Sequence, residues 1–159
     1  SMTFLAKSLL TQEKALGTQS TNTGGYAKCT LPTYLNSRVY NGLDIQWKQL
    51  VKNVKINSSI GDMSTEISSI ASYIYIPSVY ELDSTMSREP YVYEGSPITY
   101  MTTNATRICK TSDGVATAYW TRSPNVDYNG YYYRVEPEGT LSGYYYAYST
   151  NGIRIMYSI

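Results

Sequence analysis

Side-chain chemistry starts from groups that move protons, hold metals or attack electrophiles, and this chain is poor in all three. It contains no histidine, so the commonest general base and the commonest metal ligand are both missing. Serine triads, zinc centres and metalloprotease helices are therefore poor hypotheses. The two cysteines, Cys29 and Cys109, stand eighty positions apart, which fits no redox motif and makes no metal cluster. They read as a disulfide or as two buried thiols, the commoner fate of sparse cysteines. What the chain has in excess is tyrosine, nineteen in all, of which ten fall in residues 119–159. Tyr131-Tyr132-Tyr133 and Tyr144-Tyr145-Tyr146, with Tyr148 close behind, stand among Ser, Asn, Asp and Gly. A tyrosine gives a large rigid face and one hydroxyl at small entropic cost, so this composition is that of a recognition surface. The plainer reading is that tyrosine is favoured on half-buried pleated faces.

The elements that must position these residues follow from patterning. At 159 residues, 42% apolar and 16% charged, the chain is expected to form one domain with a proper core. The net charge is +1 with no basic block, which speaks against nucleic acid. No apolar run nears the roughly 18 residues of a membrane span, so no membrane insertion is expected. Ser1 before Met2 reads as the scar of an expression tag. Phe4-Leu5-Ala6, interrupted by Lys7, is too short for a signal peptide, so export is expected to need a larger parent protein, a phage particle or another route. Residues 3–10 suit a strand and 11–25 a long polar loop. Leu31, Tyr34, Leu35 and Val39 predict a helix with Thr30 as N-cap, Pro32 in its first turn and Asn41-Gly42 at its end. Residues 44–50 predict a second helix, capped by Asp44, with Trp47 and Leu50 inward. Strands are predicted over 51–56 and 70–76, with loops over 57–69 and 81–96, and a helix over 98–108. Four strand-like segments close the chain: 117–121, 131–135, 143–148 and 153–157. The class is α+β, with two N-terminal helices and a C-terminal antiparallel meander.

Trp120-x-Arg122-Ser123-Pro124, a Tyr/Asn/Ser-rich stretch and a closing Gly152-x-Arg154 resemble a domain family of gut Firmicutes and their phages with C-type-lectin-like architecture. Gly24-Gly25-Tyr26 with Leu35-Asn36-Ser37-x-x-Tyr40-Asn41 is similar to that family's Gly-Gly-Trp … Tyr-Leu-Asn … Phe-Tyr-Asn segment. Tyr75-Ile76-Pro77-Ser78-x-x-Glu81 is similar to its Leu-Phe-Leu-Pro-Ser-x-x-Glu. These matches span nearly the whole chain in order. Gly152-Ile153-Arg154 also resembles the ending of formylglycine-generating-type folds, which share the lectin-like core, as do variable proteins of diversity-generating retroelements. Ile155 departs from the family's usual Gly-Val-Arg-Pro ending. The resemblance implies a lectin-like fold whose last strands and loops vary, and display outside the cell, at a cell surface or on a phage virion. Adenine-directed mutagenesis of asparagine codons reaches every residue type between Asn125 and Asn151 except Glu136 and Glu138, which suits diversification by a retroelement.

Alternation sends Tyr144, Tyr146 and Tyr148 to one face and Tyr145 and Ala147 to the other. The first set is the expected contact face, because small Ala147 suits close packing. The expected ligand-binding set is Asn125, Asp127, Tyr128, Asn129, Tyr131, Tyr133, Tyr144, Tyr146, Tyr148 and Asn151, held on a scaffold of residues 1–118. Turn chemistry alone also accounts for 125–129. Trp120 is expected in the core, and Arg122 and Arg154 in internal hydrogen bonds and charge pairs. Glu136-Pro137-Glu138 resembles part of a lectin calcium element. Its last residue differs and its Trp-Asn-Asp partner is missing, so no metal is expected. The enzymatic relatives use a reactive cysteine pair near the C-terminus, whereas Cys29 and Cys109 both precede Trp120. The expectation is a non-catalytic domain without cofactor, binding a cell-surface protein or glycan, with oligomerisation open. The alternatives are a structural assembly module, its tyrosines buried against a sister subunit, or a degenerate relative of the formylglycine-generating enzymes.

Overall fold

Strand β4 (Tyr119–Pro124) is buried at every position, so it must have structure packed on both of its faces. In the computed structural model, which describes residues 1–159, its alternating side chains feed two cores. Trp120 packs among Leu16, Leu35, Ile76 and Ile153. Tyr119, pointing the other way, packs among Leu9, Leu82, Cys109 and Val135. Strands β5 (Tyr132–Val135) and β6 (Leu141–Tyr145) follow β4 in an antiparallel meander, with Tyr119 opposite Val135 and Tyr132 opposite Tyr145. The register slips between Trp120 and Pro124, a bulge-like irregularity within an otherwise regular pair.

The fourth expected strand leaves this meander. Gly152 bridges Tyr119 in parallel, and β7 (Met156–Ser158) then pairs antiparallel with β1 (Thr3–Leu5), which brings the two chain ends side by side. β1 is shorter than the expected 3–10 strand. Strands β2 (Val54–Ser59) and β3 (Ile67–Ser72) form a two-stranded antiparallel ladder with six paired positions. Much of the expected 57–69 loop is therefore strand. Its serines are poor strand signals by type, yet Ser58 faces Ser68, and Ser69 donates to Asn57 across the pair.

The helices are mixed with the strands along the chain, in place of the expected N-terminal pair. Helix α1 (Leu31–Tyr34) runs on into a wider π turn at Leu35–Val39. There Asn36 donates to Pro32 and Ile74 carbonyls and accepts from the Tyr73 and Ile74 amides, which ends β3 early and ties the helix to it. Helix α2 (Ile45–Leu50) is capped by Asp44 as expected, but it buries none of its residues. Trp47 and Leu50 are exposed rather than inward, with Trp47 resting edge-on against Tyr157. Helix α3 (Val79–Leu82) starts in a full capping box between Ser78 and Glu81. Helix α4 (Asn104–Arg107) is all that forms of the expected 98–108 helix. The amide of Ile98 is committed to the Glu81 carbonyl, and Thr103 caps the helix five residues later. The 81–96 stretch is more than a surface loop, because Tyr91 and Glu94 within it are buried.

Candidate functional site

Pleating decides which tyrosines reach solvent. In the 131–133 run Tyr132 enters the core while Tyr131 and Tyr133 stay partly exposed. Along 144–148, Tyr144, Tyr146 and Tyr148 are exposed, Ala147 is fully buried, and Tyr145 is half-buried over Arg134, 3.6 Å from guanidinium carbon to ring centre. The exposed rings meet. Tyr131 lies 5.1 Å from Tyr146 and 5.9 Å from Tyr144, and Tyr128 packs edge-on against both Tyr131 and Tyr144. Tyr146 and Tyr148 stack at 5.1 Å with planes 12° apart. Edge-to-face packing holds such rings with roughly 0.5–1.5 kcal/mol per pair beyond area burial. The result is one continuous aromatic surface of five tyrosines: 128, 131, 144, 146 and 148. The hydroxyl of Tyr131 is harder to ionise than usual, chiefly because of its hydrogen bond with Tyr146.

The other expected contact residues hold this surface from below or beside it. Asn125 is buried. It donates to the Gly143 carbonyl at 2.8 Å and accepts from the Asp127 amide at 3.0 Å, binding the loop to β6. Asn151 is also buried, accepting from Arg134 at 2.7 Å, so neither asparagine presents its amide to a ligand. Both belong in the expected set by type and fall out of it by burial. Tyr133 sits edge-on to Tyr91, and its ring covers Gly143 so closely that a Cβ there would lie 2.7 Å from it. Asp127 is exposed in a two-bonded pair with Arg88 beside the cluster. Asn129 is exposed, and its carbonyl accepts from the Asn22 amide.

Three supports were not visible as site residues in the sequence. Asn22, fully buried in the N-terminal loop, donates to the Tyr128 and Tyr131 carbonyls at 2.9 Å each, and weakly to Asn125. Its side-chain oxygen accepts from Asp62, so one amide group clamps both ends of the tyrosine-bearing loop to the scaffold. Tyr91 accepts from the Val126 amide at 2.8 Å. Glu94, fully buried, accepts from the Ser59 amide and the Ser123 hydroxyl. Burial pushes its carboxyl up to about 7, against the pull of Arg122 and those two donors.

The arginines are structural. Arg122 donates to the Asn57, Ile76 and Glu94 carbonyls and to Glu81, which fixes β4 to the rest of the scaffold. Arg154 donates to Ala6 and to the Tyr119 hydroxyl. It finds no carboxylate, so the expected charge pairing applies to Arg122 alone. Both oxygens of Glu136 are held by Arg134, at 2.8 and 3.0 Å. Burial alone would raise that carboxyl, but the Arg134 and Tyr145 contacts outweigh it and hold it lower. Cys29 and Cys109 are separate buried thiols, and burial pushes Cys29 up to about 11.

This frame, with β4 buried throughout and the aromatic surface hung from it, is one unit running from β1 to β7. The family model described as "Domain of unknown function (DUF6273)" matches residues 1–159, the whole of that unit. The chain belongs to the DUF6273 family. None of the curated proteins and none of the solved structures matches it. In this DUF6273 domain the Trp-x-Arg-Ser-Pro stretch is β4 itself, so it serves the frame: Trp120 fills the core and donates to the Lys14 carbonyl, while Arg122 and Ser123 bond the buried glutamates.

Proposed function

We propose that this domain is a non-catalytic binding module whose contact face is the five-tyrosine surface. The observation that carries the reading is the mutual packing of Tyr128, Tyr131, Tyr144, Tyr146 and Tyr148 in solvent, with Tyr131 in the middle against three of the other rings and Tyr144, 63% exposed, beside it. Rings ordered in advance lose little freedom on binding, which is what an anchor residue needs. None of the four cavities of the molecule is lined by any of these rings, so the face lacks the concavity that small ligands use. A protein on a cell surface fits such relief better than a short glycan. A lectin-like fold and display on a cell or phage virion are part of the proposal through the family resemblance, as is retroelement diversification of residues 125–151.

Alanine replacement of Tyr128, Tyr144 and Tyr148 in turn, with binding measured on an array of cell-surface proteins and glycans, tests the reading. Tyr144, the most exposed of the five rings and packed against both Tyr128 and Tyr131, is expected to cost most, about 2 kcal/mol or more, as an anchor residue does. Full affinity in all three variants for a confirmed ligand refutes it. A stable oligomer that covers these rings points instead to an assembly module.

A further inference from the structure

A second site, remote from the tyrosines, lies where the paired chain ends meet the 96–100 segment. Two cavities of about 460 and 280 Å3 adjoin there, sharing Thr3, Tyr75 and Glu81. The larger is of the size that small-molecule sites have, roughly 300–1,000 Å3. Glu81 is the unusual member. Its side chain is 9% exposed, and one carboxylate oxygen, Oε1, accepts both the Ser78 amide at 2.8 Å and Arg122. No N–H or O–H of the protein reaches the other oxygen, Oε2. That atom is nevertheless absent from the fully enclosed unpaired groups, so it opens to the cavities. Gly95 leaves it room: a Cβ at that position would lie 2.6 Å from Oε2. A nearly buried carboxylate oxygen without a donor is a free acceptor in search of one.

We propose that this cleft binds a small neutral polyhydroxylated molecule, a single sugar ring in size and chemistry. Arg122 is paired with Glu81 and Lys55 lines the smaller cavity beside it, so the floor offers a strong acceptor without the net negative charge that would select an ammonium group. Hydroxyls of Thr3 and Ser158, 3.1 Å apart, and of Tyr75 lie along the smaller cavity and supply both donors and acceptors. The larger cavity adds apolar walls, Ile98 and Met156, and the ring of Tyr100, which is 57% exposed. A hydroxyl edge on one side and an apolar C–H face on the other is the outline of a pyranose.

Ligand-observed and protein-observed NMR with D-glucose, D-galactose, D-mannose and N-acetyl-D-glucosamine, with benzylamine as the cationic probe, tests this. At least one sugar is expected to give saturable shifts at Thr3 and at Ser96–Tyr100. Binding is expected to weaken roughly tenfold or more in Glu81→Gln, as loss of a hydrogen bond to a charged group implies, and about threefold or more in Tyr75→Phe, which removes a neutral one. Thr99→Trp, an exposed residue lining the larger cavity, blocks the cleft without touching the capping box and is expected to abolish the shifts. Sugars that produce no saturable shift overturn the proposal, leaving only a bound water on Oε2. So do shifts that survive Thr99→Trp, or tighter binding of benzylamine than of any sugar. None of the five tyrosines lines this cleft, so its failure leaves the aromatic face untouched, and the converse holds.

Discussion

Replacing Asn22 by alanine tests whether the N-terminal loop holds the tyrosine surface in place. The side chain is fully buried and makes three well-formed bonds, from Nδ2 to the Tyr128 and Tyr131 carbonyls at 2.9 Å and to Oδ1 from the Asp62 amide at 2.8 Å. Each buried bond contributes about 1 kcal/mol net, and the groups left behind lose their partner in a region closed by Gly61. Gly61 has φ of +72°, and a Cβ there would meet the Asn22 carbonyl at 1.8 Å, so the backbone has no slack to refill the gap. The expected loss is about 3 kcal/mol, or roughly 6–12 °C in Tm for a chain of this length. Urea denaturation measures it, with Ser69→Ala as a control that removes one exposed bond to Asn57 at 2.7 Å and is expected to cost under about 0.5 kcal/mol. Amide shifts at 125–131 are expected to move in the Asn22 variant and not in the control. A loss below about 1 kcal/mol, or unchanged shifts in that loop, refutes the clamp.

Glu94 gives a pH prediction with a definite sign. Its folded pKa, about 7, lies above the ordinary carboxylate value of 4.5, so the folded state binds the extra proton between them and stability falls as pH rises through that window. Relative to Glu94→Gln, the wild type is expected to lose about 3 kcal/mol between pH 4.5 and 8; parallel pH curves in urea denaturation contradict this. Gly143→Ala places a Cβ 2.7 Å from the Tyr133 ring and 2.8 Å from Asn125 Nδ2, for an expected cost of about 1–3 kcal/mol, with Tyr133 ring resonances displaced in NMR spectra. Both cysteines are buried, and burial raises their thiols. A disulfide-exchange reagent is therefore expected to leave the native protein unmodified and to titrate both thiols in denaturant; rapid labelling of native protein contradicts that packing.

Legibility followed the range of the interaction. Local signals read well: the Asp44 cap, the 31–39 helical spacing, the core position of Trp120, and the alternation that exposes Tyr144, Tyr146 and Tyr148. The β2–β3 ladder was half legible: 54–56 and 70–72 fall in expected strands, whereas the serine-rich 57–59 and 67–69 carry no hydrophobic alternation and are fixed by partners across the hairpin. Trp47 and Leu50 have the spacing of an inward stripe, yet α2 buries none of its residues and Trp47 meets only the edge of Tyr157. Periodicity shows that a face is apolar and not what meets it. The frame of the site was least legible. Asn22 stands more than a hundred positions from the carbonyls it holds, in a polar stretch with the composition of an ordinary loop. Asn125 and Asn151 look like surface turn residues until the β6 and Arg134 contacts bury them. The ring contacts of Tyr128 with Tyr131 and Tyr144 depend on how that loop folds back, which no spacing encodes.

Two exposed aromatic surfaces compete for the role of contact face: the five tyrosines, and the α2 face around Trp47 and Tyr157. The decisive measurement is equilibrium binding to a confirmed cell-surface ligand by wild type, by the triple variant Tyr128→Ala/Tyr144→Ala/Tyr148→Ala, and by Trp47→Ala, each first shown folded by circular dichroism. The tyrosine triple is expected to lose at least about a hundredfold in affinity while Trp47→Ala binds as wild type does. Retained affinity in the triple variant, with or without loss in Trp47→Ala, contradicts the assignment of the tyrosine face.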